Sequence, residues 1–236
     1  MSRLADYRAD LRGLPRAEWA HFLTQHSGLP GPRGNIELAQ AFADECDPGL
    51  ADEMLATDDE YLVFCGVVGL GRQLAERSGS DAADELAERL RGYAADSRWR
   101  VREAVAMALQ RLGDADLPRL ERLVTRWAAD DGPLVQRAAA AAICEPRLLA
   151  DPHSAATALE VCAVATEALA AVPSDQRRDP AVRSLRQGLG YCWSVAVAAD
   201  PHHGLPRFAA LAETADPDVA WIVRENRRKN RLARLR

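Results

Sequence analysis

Trp99 and Glu103 are the residues whose types and spacing best fit a chemical site in this sequence. They are four positions apart, so on an α-helix the two side chains lie on one face. There an aromatic ring and a carboxylate would stabilise a positively charged species, with Arg137 contacting phosphate. A structural interpretation stays open beside this one. Trp99 would anchor an interface between helices, and Glu103 would pair with Arg100 or Arg102.

Two further candidate pairs involve tryptophan. Trp127 and Asp131 have the same spacing of four, but Asp131 stands at a predicted helix end, where Asp serves as a turn or cap residue. Tyr191 and Trp193 are two positions apart, and such residues do not share one helix face. The spacing therefore predicts a structural role for Trp127, and it predicts that one of Tyr191 and Trp193 is in the core and the other exposed.

The remaining chemistry-bearing residues indicate neither a metal nor a cofactor. His202 and His203 have no third ligand close in sequence, so we expect a solvated helix start. Glycines inside helical patterns lack the features of a P-loop or a dinucleotide site, which favours close helix packing. These glycines are Gly66, Gly69, Gly71, Gly188 and Gly190. The cysteines form no CxxC pair, so we expect buried, reduced thiols. They are Cys46, Cys65, Cys144, Cys162 and Cys192.

Charge is divided unevenly along the chain. The formal net charge is −5, yet residues 224–236 contain seven basic residues and one acidic residue, whereas residues 1–223 contain 23 basic and 34 acidic residues. One interpretation of the basic segment is a solvated end of the fold. The other is a surface that binds phosphate or an acidic partner. The candidate residues of that surface are Arg224, Arg227, Arg228 and Lys229.

The elements that must position these residues are predicted to be helices. The 236 residues include 45 alanines, 29 arginines and a single lysine, and aromatic residues make up 6%. Alanine, leucine and arginine are strong helix formers, and strand formers other than valine are scarce. This composition predicts an all-α protein. No apolar run approaches the roughly 20 residues of a membrane span, and the N-terminus lacks a signal-peptide core, so we expect a cytoplasmic protein.

Asp, Pro and Gly residues divide the chain into predicted helices. These span residues 3–12, 16–26, 35–45, 48–56, 60–77, 81–94, 97–112, 117–129, 133–144, 152–172, 180–199, 204–214 and 217–234. Asn35 and Asp81 are predicted N-caps. We expect a single domain over 1–236, in which a helical cap at 1–34 precedes repeats at 35–236.

A repeat underlies these helices. Five segments place an Asp at a turn, then a Val, often an Arg, and then small residues at helical spacing. The valines are Val63, Val101, Val135, Val182 and Val223, in steps of 38, 34, 47 and 41 residues. This period is typical of stacked helix pairs. We expect alanines to permit close stacking, and Asp/Arg pairs six residues apart to link neighbouring repeats. The pairs are Asp96/Arg102, Asp131/Arg137 and Asp218/Arg224.

These segments resemble the HEAT-repeat family, which implies a right-handed α-solenoid of antiparallel helix pairs. A narrower resemblance is to the AlkD-type alkylpurine DNA glycosylases. It rests on Trp99 and Glu103 in SRWRVREA, on Gln136–Arg137–Ala138, on GLGYCWSVAVAADP at 188–201, and on Arg224–Glu225–Asn226. The sequence has Glu103 where that family has Asp, and Tyr191 where it has a second Trp.

The two resemblances imply different functions. The first implies a non-enzymatic repeat protein that binds a protein or nucleic-acid partner on its concave face, without a cofactor. The second implies DNA glycosylase activity or DNA binding, in which Trp99 and Tyr191 flank a lesion and Glu103 stabilises positive charge. Residues that would contact the phosphates or another partner are Arg100, Arg137, Trp193 and the basic C-terminal residues. The net negative charge of residues 1–223 favours the binding protein over the glycosylase.

Overall fold

Helices form all the regular secondary structure of the computed structural model, which describes residues 3–77 and 81–235. No strand occurs in those ranges, so the all-α prediction is confirmed. The chain divides into two compact units, Met1–Ala115 and Asp116–Arg236. Within the first unit, α1 (Arg3–Gly13) packs against α3 (Ile36–Glu45).

The first unit contains seven α-helices in the described ranges. After α1 come a short 3-10 helix (Arg16–Glu18), α2 (Trp19–Gln25) and α3, and then α4 (Pro48–Leu55), α5 (Glu60–Glu76), α6 (Asp81–Ala94) and α7 (Trp99–Ala115). Helix α5 lies at the centre, where it packs against α3, α4, α6 and α7. Its residues from Tyr61 to Gly71 are all buried.

The second unit contains another seven α-helices within the described residues. They are α8 (Leu117–Ala128), α9 (Pro133–Ile143), α10 (Pro152–Ala171), α11 (Pro180–Ala199), α12 (Pro201–Ala212), α13 (Pro217–Arg227) and α14 (Asn230–Ala233), with a 3-10 helix at Pro146–Ala150 between α9 and α10. Helix α11 packs against α9 and α13 and also against α10. Trp127 and Trp193 are among the largest fully buried side chains.

Aspartate residues explain why half of the α-helices in the described ranges begin where they do. A capping carboxylate accepts hydrogen bonds from the first free backbone amides of a helix, which have no partner inside it. The capping residues are Asp47, Asp59, Asp116, Asp151, Asp179, Asp200 and Asp216. Asn35 caps α3 as predicted. Asp81 is instead the first residue of α6, and residues 78–80 lie outside the described ranges.

The repeat pattern marks core positions. Its five valines are all buried. Val63 and Val101 are exposed by 1% or less, and Val182, the most exposed of the five, by 6%. Small residues sit where helices approach most closely, as predicted. A Cβ atom on Gly71 of α5 would collide with the backbone of Ala108 in α7, and one on Gly190 of α11 would lie 2.7 Å from the ring of Trp221 in α13.

Two predicted helices differ from the structure. The helix expected at 217–234 is divided, because Lys229 adopts an extended conformation (φ −80°, ψ 127°) between α13 and α14. The helix expected at 204–214 begins earlier, at Pro201, since Asp200 caps it. The 3-10 helix at Pro146–Ala150 was not predicted.

Helix α10 has the length and apolarity of a membrane span. Over an 18-residue window its mean hydropathy is 1.3, and half of that window is buried inside the protein. Core helices of the same length can have this composition. No other helix among the described residues meets these criteria.

Candidate binding surface on the C-terminal helices

Helix α13 presents a group of arginines on one side. Asp216 caps the helix and Pro217 follows as its first residue. The buried residues Val219, Ile222 and Val223 hold its apolar face against the unit. Arg224, Arg227 and Arg228 follow at spacings of three and four, which places them side by side on a helical surface. We call these three residues the arginine surface.

A buried asparagine fixes the position of α13. The Asn226 side chain is fully buried. Its Oδ1 accepts a hydrogen bond from the backbone N–H of Ser194 at 2.8 Å, and its Nδ2 donates to the carbonyls of Leu189 at 2.9 Å and Ile222 at 2.8 Å. Two of these partners belong to α11, so the asparagine ties the two helices together. The sequence signal for this role is weak, because Asn226 stands amid arginines and looks like a surface residue.

The arginine surface lines an open depression. Its volume is about 470 Å³, and Ala212, Ala220 and Val223 form its apolar part. Small side chains leave room beside the guanidinium groups, each of which offers five N–H donors. The depression can therefore hold an anionic group together with a small apolar group.

One of the three arginines of this surface is paired with a carboxylate. Arg228 pairs with Glu225 at 2.7 Å, and both side chains belong to the same helical segment. Arg224 and Arg227 are exposed and form no ion pair or hydrogen bond with any residue in the described part of the chain. Exposed Arg178 and Arg183 of the same unit do not line this depression.

Most arginines of residues 1–223 are paired with carboxylates. Ion pairs join arginines to acidic side chains at Arg8, Arg12, Arg16, Arg72, Arg89, Arg98, Arg100, Arg111, Arg147, Arg177, Arg186 and Arg207. Many of these pairs link different helices, for example Arg186 of α11 with Asp218 of α13 at 2.6 Å. The prediction that most arginines of residues 1–223 lie near acidic groups is thus confirmed for these residues.

For two of the predicted Asp/Arg pairs, Asp96/Arg102 and Asp218/Arg224, the structure shows other partners for the carboxylate. Arg102 Nη1 donates to the backbone carbonyl of Asp96 at 2.7 Å, whereas the Asp96 carboxylate pairs with Arg98 at 2.8 Å. Asp218 pairs with Arg177 and Arg186. A carboxylate at a helix start is closer to arginines of adjacent turns and helices than to an arginine six residues along its own helix.

Lys229 and Arg231 surround Tyr191. Tyr191 is 45% exposed. The Arg231 guanidinium lies 4.8 Å from the centre of its ring, and Arg231 Nη2 donates a hydrogen bond of 2.9 Å to its hydroxyl. Lys229 Nζ is 5.8 Å from the same ring centre. The aromatic face attracts both cations and holds them in place.

The prediction that Trp193 is a binding residue is wrong, because Trp193 lies in the core. It is 1% exposed, and its Nε1 donates to Thr166 Oγ1 at 2.9 Å. The expectation that one of Tyr191 and Trp193 is buried and the other exposed is confirmed. Trp127 is also 1% exposed, which supports its predicted structural role over a chemical one.

Two candidate residues of the first unit, Trp99 and Arg100, contact each other at the surface, and Arg100 is also paired with a carboxylate. Trp99 is 49% exposed, so it does not fill volume inside the unit. The Arg100 guanidinium lies 4.8 Å from the Trp99 ring centre. Arg100 also donates to Glu60 at 2.9 Å and to the carbonyl of Gly31 at 3.1 Å. These contacts correct the prediction of Arg100 as a phosphate ligand, because its charge is neutralised within the unit. Glu103 is partly buried on the same helix.

The other candidates have structural surroundings. The Cγ atom of Arg137 lies 3.0 Å from where a Cβ on Gly188 would be, so its aliphatic part packs against α11. His203 pairs with Asp200, and no group of three potential metal ligands occurs among the residues that the structure describes. All five cysteines are free and buried, as predicted. Burial raises the pKa of Cys46 to about 11.

Comparison with known proteins does not assign this chain to a family. No protein-family model matches the sequence, and no characterised protein shows significant sequence similarity to it. A comparison with solved structures matches the chain to two engineered proteins whose crystal structures were determined by the Northeast Structural Genomics Consortium. One is 15% identical over 96% of this chain and 95% of its own, with a TM-score of 0.37. The other is 17% identical over 96% and 97%, with a TM-score of 0.34. Likeness at this level assigns neither a family nor a function.

Proposed function

We propose that this chain is a non-enzymatic, HEAT-like helical-repeat protein that binds an acidic segment of a partner protein at the arginine surface. The observation that carries the proposal is the convergence of Arg224, Arg227 and Arg228 on one depression, where Arg224 and Arg227 have no acidic partner in the described chain. Like charges brought together repel each other, and an external carboxylate would relieve that repulsion.

The repeat supports the scaffold part of the proposal. Helices α9, α11 and α13 carry equivalent buried valines, and each packs against the next within the second unit. Stacked helix pairs of the HEAT kind would produce these contacts, and such repeats present a preformed surface to a partner.

The charge distribution favours a protein partner over nucleic acid. Duplex DNA carries one negative charge per roughly 1.7 Å of its axis, so many phosphates would approach acidic residues together with the arginines. Residues 1–223 contain 34 acidic and 23 basic residues. A short acidic segment places its few charges at the depression alone. Its apolar side chains can contact Ala212, Ala220 and Val223.

Fluorescence anisotropy with a labelled peptide of alternating Glu and Leu residues tests this proposal. We expect saturable binding that weakens with added salt, because the contacts are ionic. The double variant Arg224→Gln/Arg227→Gln should lower the affinity at least about tenfold, since hydrogen bonds to charged groups contribute about 1.5–3 kcal/mol each. Arg178→Gln/Arg183→Gln removes the same charge from elsewhere in the unit and should change the affinity less than about twofold.

Three outcomes would contradict the proposal. The peptide could fail to bind at low salt, both double variants could weaken binding equally, or duplex DNA could bind with higher affinity than the peptide. The last result would move the assignment to nucleic acid, provided that Arg224→Gln/Arg227→Gln weakens DNA binding more than the control.

DNA glycosylase activity is the second candidate function, and the exposure of Trp99 and Tyr191 favours it. Both aromatic side chains are close to half exposed, as residues that contact a nucleobase must be. Glu103→Gln should then abolish the release of methylated purine from alkylated DNA while the protein stays folded. Unchanged release would exclude a catalytic role for Glu103, and no release by the unmodified protein would exclude the activity.

A further inference from the structure

A second depression, separate in its lining from the arginine surface, lies beside α14. Its volume is about 350 Å³. Pro146, Leu149 and Ala150 of the 3-10 helix form one wall, and Val195, Ala198 and Ala199 of α11 form another. Arg231 is the single polar lining residue. We call this the apolar depression. Pockets for small molecules have volumes of about 300–1,000 Å³ and are mostly apolar with few polar groups.

Arg231 is oriented by Tyr191 and has unused donors. One of its five N–H groups donates to the Tyr191 hydroxyl, and the guanidinium lies over the Tyr191 ring. The Arg231 side chain forms no ion pair with a carboxylate in the described part of the chain. An oriented guanidinium presents two parallel N–H groups at a fixed spacing, which matches the two oxygens of one carboxylate.

We propose that the apolar depression binds an alkyl carboxylate of medium chain length. The carboxylate pairs with Arg231, and the alkyl chain contacts Leu149, Val195 and Ala198. An apolar wall on each side removes the methylene groups from water, while the single cation at the edge receives the head group. Tyr191 is a positioning residue, because it acts on the ligand through Arg231.

Chain-length and head-group series with ligand-detected NMR and calorimetry test the site. The probes are hexanoate, octanoate and decanoate, with octanol as the uncharged counterpart of octanoate. Affinity should rise about threefold to fourfold per methylene group until the depression is filled, because each buried methylene group adds a constant increment of transfer free energy. Octanoate should bind at least about tenfold more tightly than octanol.

Three variants separate the head-group contact from the alkyl contact. Arg231→Gln should lower octanoate affinity about tenfold and leave octanol affinity unchanged, whereas Arg234→Gln, a nearby exposed control, should affect neither. Tyr191→Phe removes the hydroxyl that orients Arg231 and should weaken octanoate about threefold without affecting octanol. Ala198→Phe fills the depression and should abolish binding of both. If Ala198→Phe fails to fold, Ala199→Leu narrows the same depression from an exposed position.

Several results would overturn the proposal. They are the absence of octanoate binding at millimolar concentration, equal affinities of octanoate for the Arg231→Gln variant and the unmodified protein, and undiminished binding when the depression is filled. Because the arginine surface takes no part, Arg224→Gln/Arg227→Gln should bind octanoate normally. Failure here is therefore distinguishable from failure of the acidic-segment proposal.

Discussion

Helices α7 and α13 begin with the same repeat motif, yet their arginines have different surroundings. In α7, Arg100 pairs with Glu60 of α5, and Arg111 pairs with Asp44 of α3. In α13, Arg224 and Arg227 have no such partner among the described residues. The acidic partners of the α7 arginines belong to other helices, α5 and α3, whereas no neighbouring helix in the described residues supplies an acidic partner to Arg224 or Arg227. One motif thus serves internal pairing in the first unit and leaves exposed charge in the last helices.

The largest expected effect comes from removing the Asn226 hydrogen bonds that hold α13, and with it the exposed arginines, against α11. Asn226→Leu removes the hydrogen bond that the Ser194 amide donates to Oδ1 and the two bonds that Nδ2 donates. Each such bond contributes about 0.5–1.5 kcal/mol, so we expect the free energy of unfolding to fall by about 3 kcal/mol. Urea denaturation followed by circular dichroism measures it. Asn230→Ala, at an exposed position, should change the value by less than about 0.5 kcal/mol.

Matched arginine substitutions in the two helices should have smaller and unequal effects. Arg100→Gln removes the donors to Glu60 and to the Gly31 carbonyl, both partly buried, and should lower the free energy of unfolding by about 1–2 kcal/mol. Arg227→Gln removes no hydrogen bond or ion pair with the described chain and should change the free energy of unfolding by less than about 0.5 kcal/mol. Equal losses, measured by urea denaturation, would mean that Arg227 is paired in solution and would remove the contrast between the helices.

A still smaller effect is expected from Glu45, a carboxylate of the first unit that pairs with Arg8 and Arg12. It should appear in the pH dependence of the free energy of unfolding. A hydrogen bond from Arg12, assisted by Arg8, lowers the pKa of Glu45 below its ordinary value, although burial opposes the shift. A carboxylate with a lowered pKa stabilises the fold above its unfolded pKa of about 4.3, and this contribution disappears as the pH falls through the folded pKa.

We therefore expect Glu45→Gln to lower the free energy of unfolding by about 1 kcal/mol at pH 6, a value limited by the exposure of the two arginines. The difference from the unmodified protein should shrink as the pH decreases below about 4. Urea denaturation at several pH values measures both quantities. Glu53→Gln, at an exposed carboxylate, provides the control. A difference that stays constant down to the lowest pH at which the protein is folded would show that the Glu45 charge contributes nothing.

Local features of the fold could be predicted from the sequence. Asp followed by Pro sets a helix start through contacts within three residues, so α4, α10, α11 and α13 begin close to their predicted positions. The glycines of α5 were predicted to pack closely, and Gly71 does so against Ala108. The valines of the repeat are core residues for the same reason, since helical periodicity determines which face is buried.

Features set by distant contacts could not be predicted. Arg100 finds Glu60 and Gly31, which are 40 and 69 positions away, and nothing near Arg100 in the chain indicates them. Trp193 donates to Thr166, 27 positions away, so its burial followed from spacing only as one of two alternatives. The candidate site was predicted in composition, as a basic C-terminal segment, but not in geometry.

The extended conformation of Lys229 divides the basic segment into two parts that face different depressions. In one continuous helix, residues 224–234 would turn by a constant angle per residue, and their cations would form a single helical stripe. The break frees Arg231 to lie over Tyr191 while Arg224 and Arg227 stay at their own depression. The two proposed binding sites can then change independently in evolution, since a substitution on one side of Lys229 leaves the direction of the side chains on the other side unaltered.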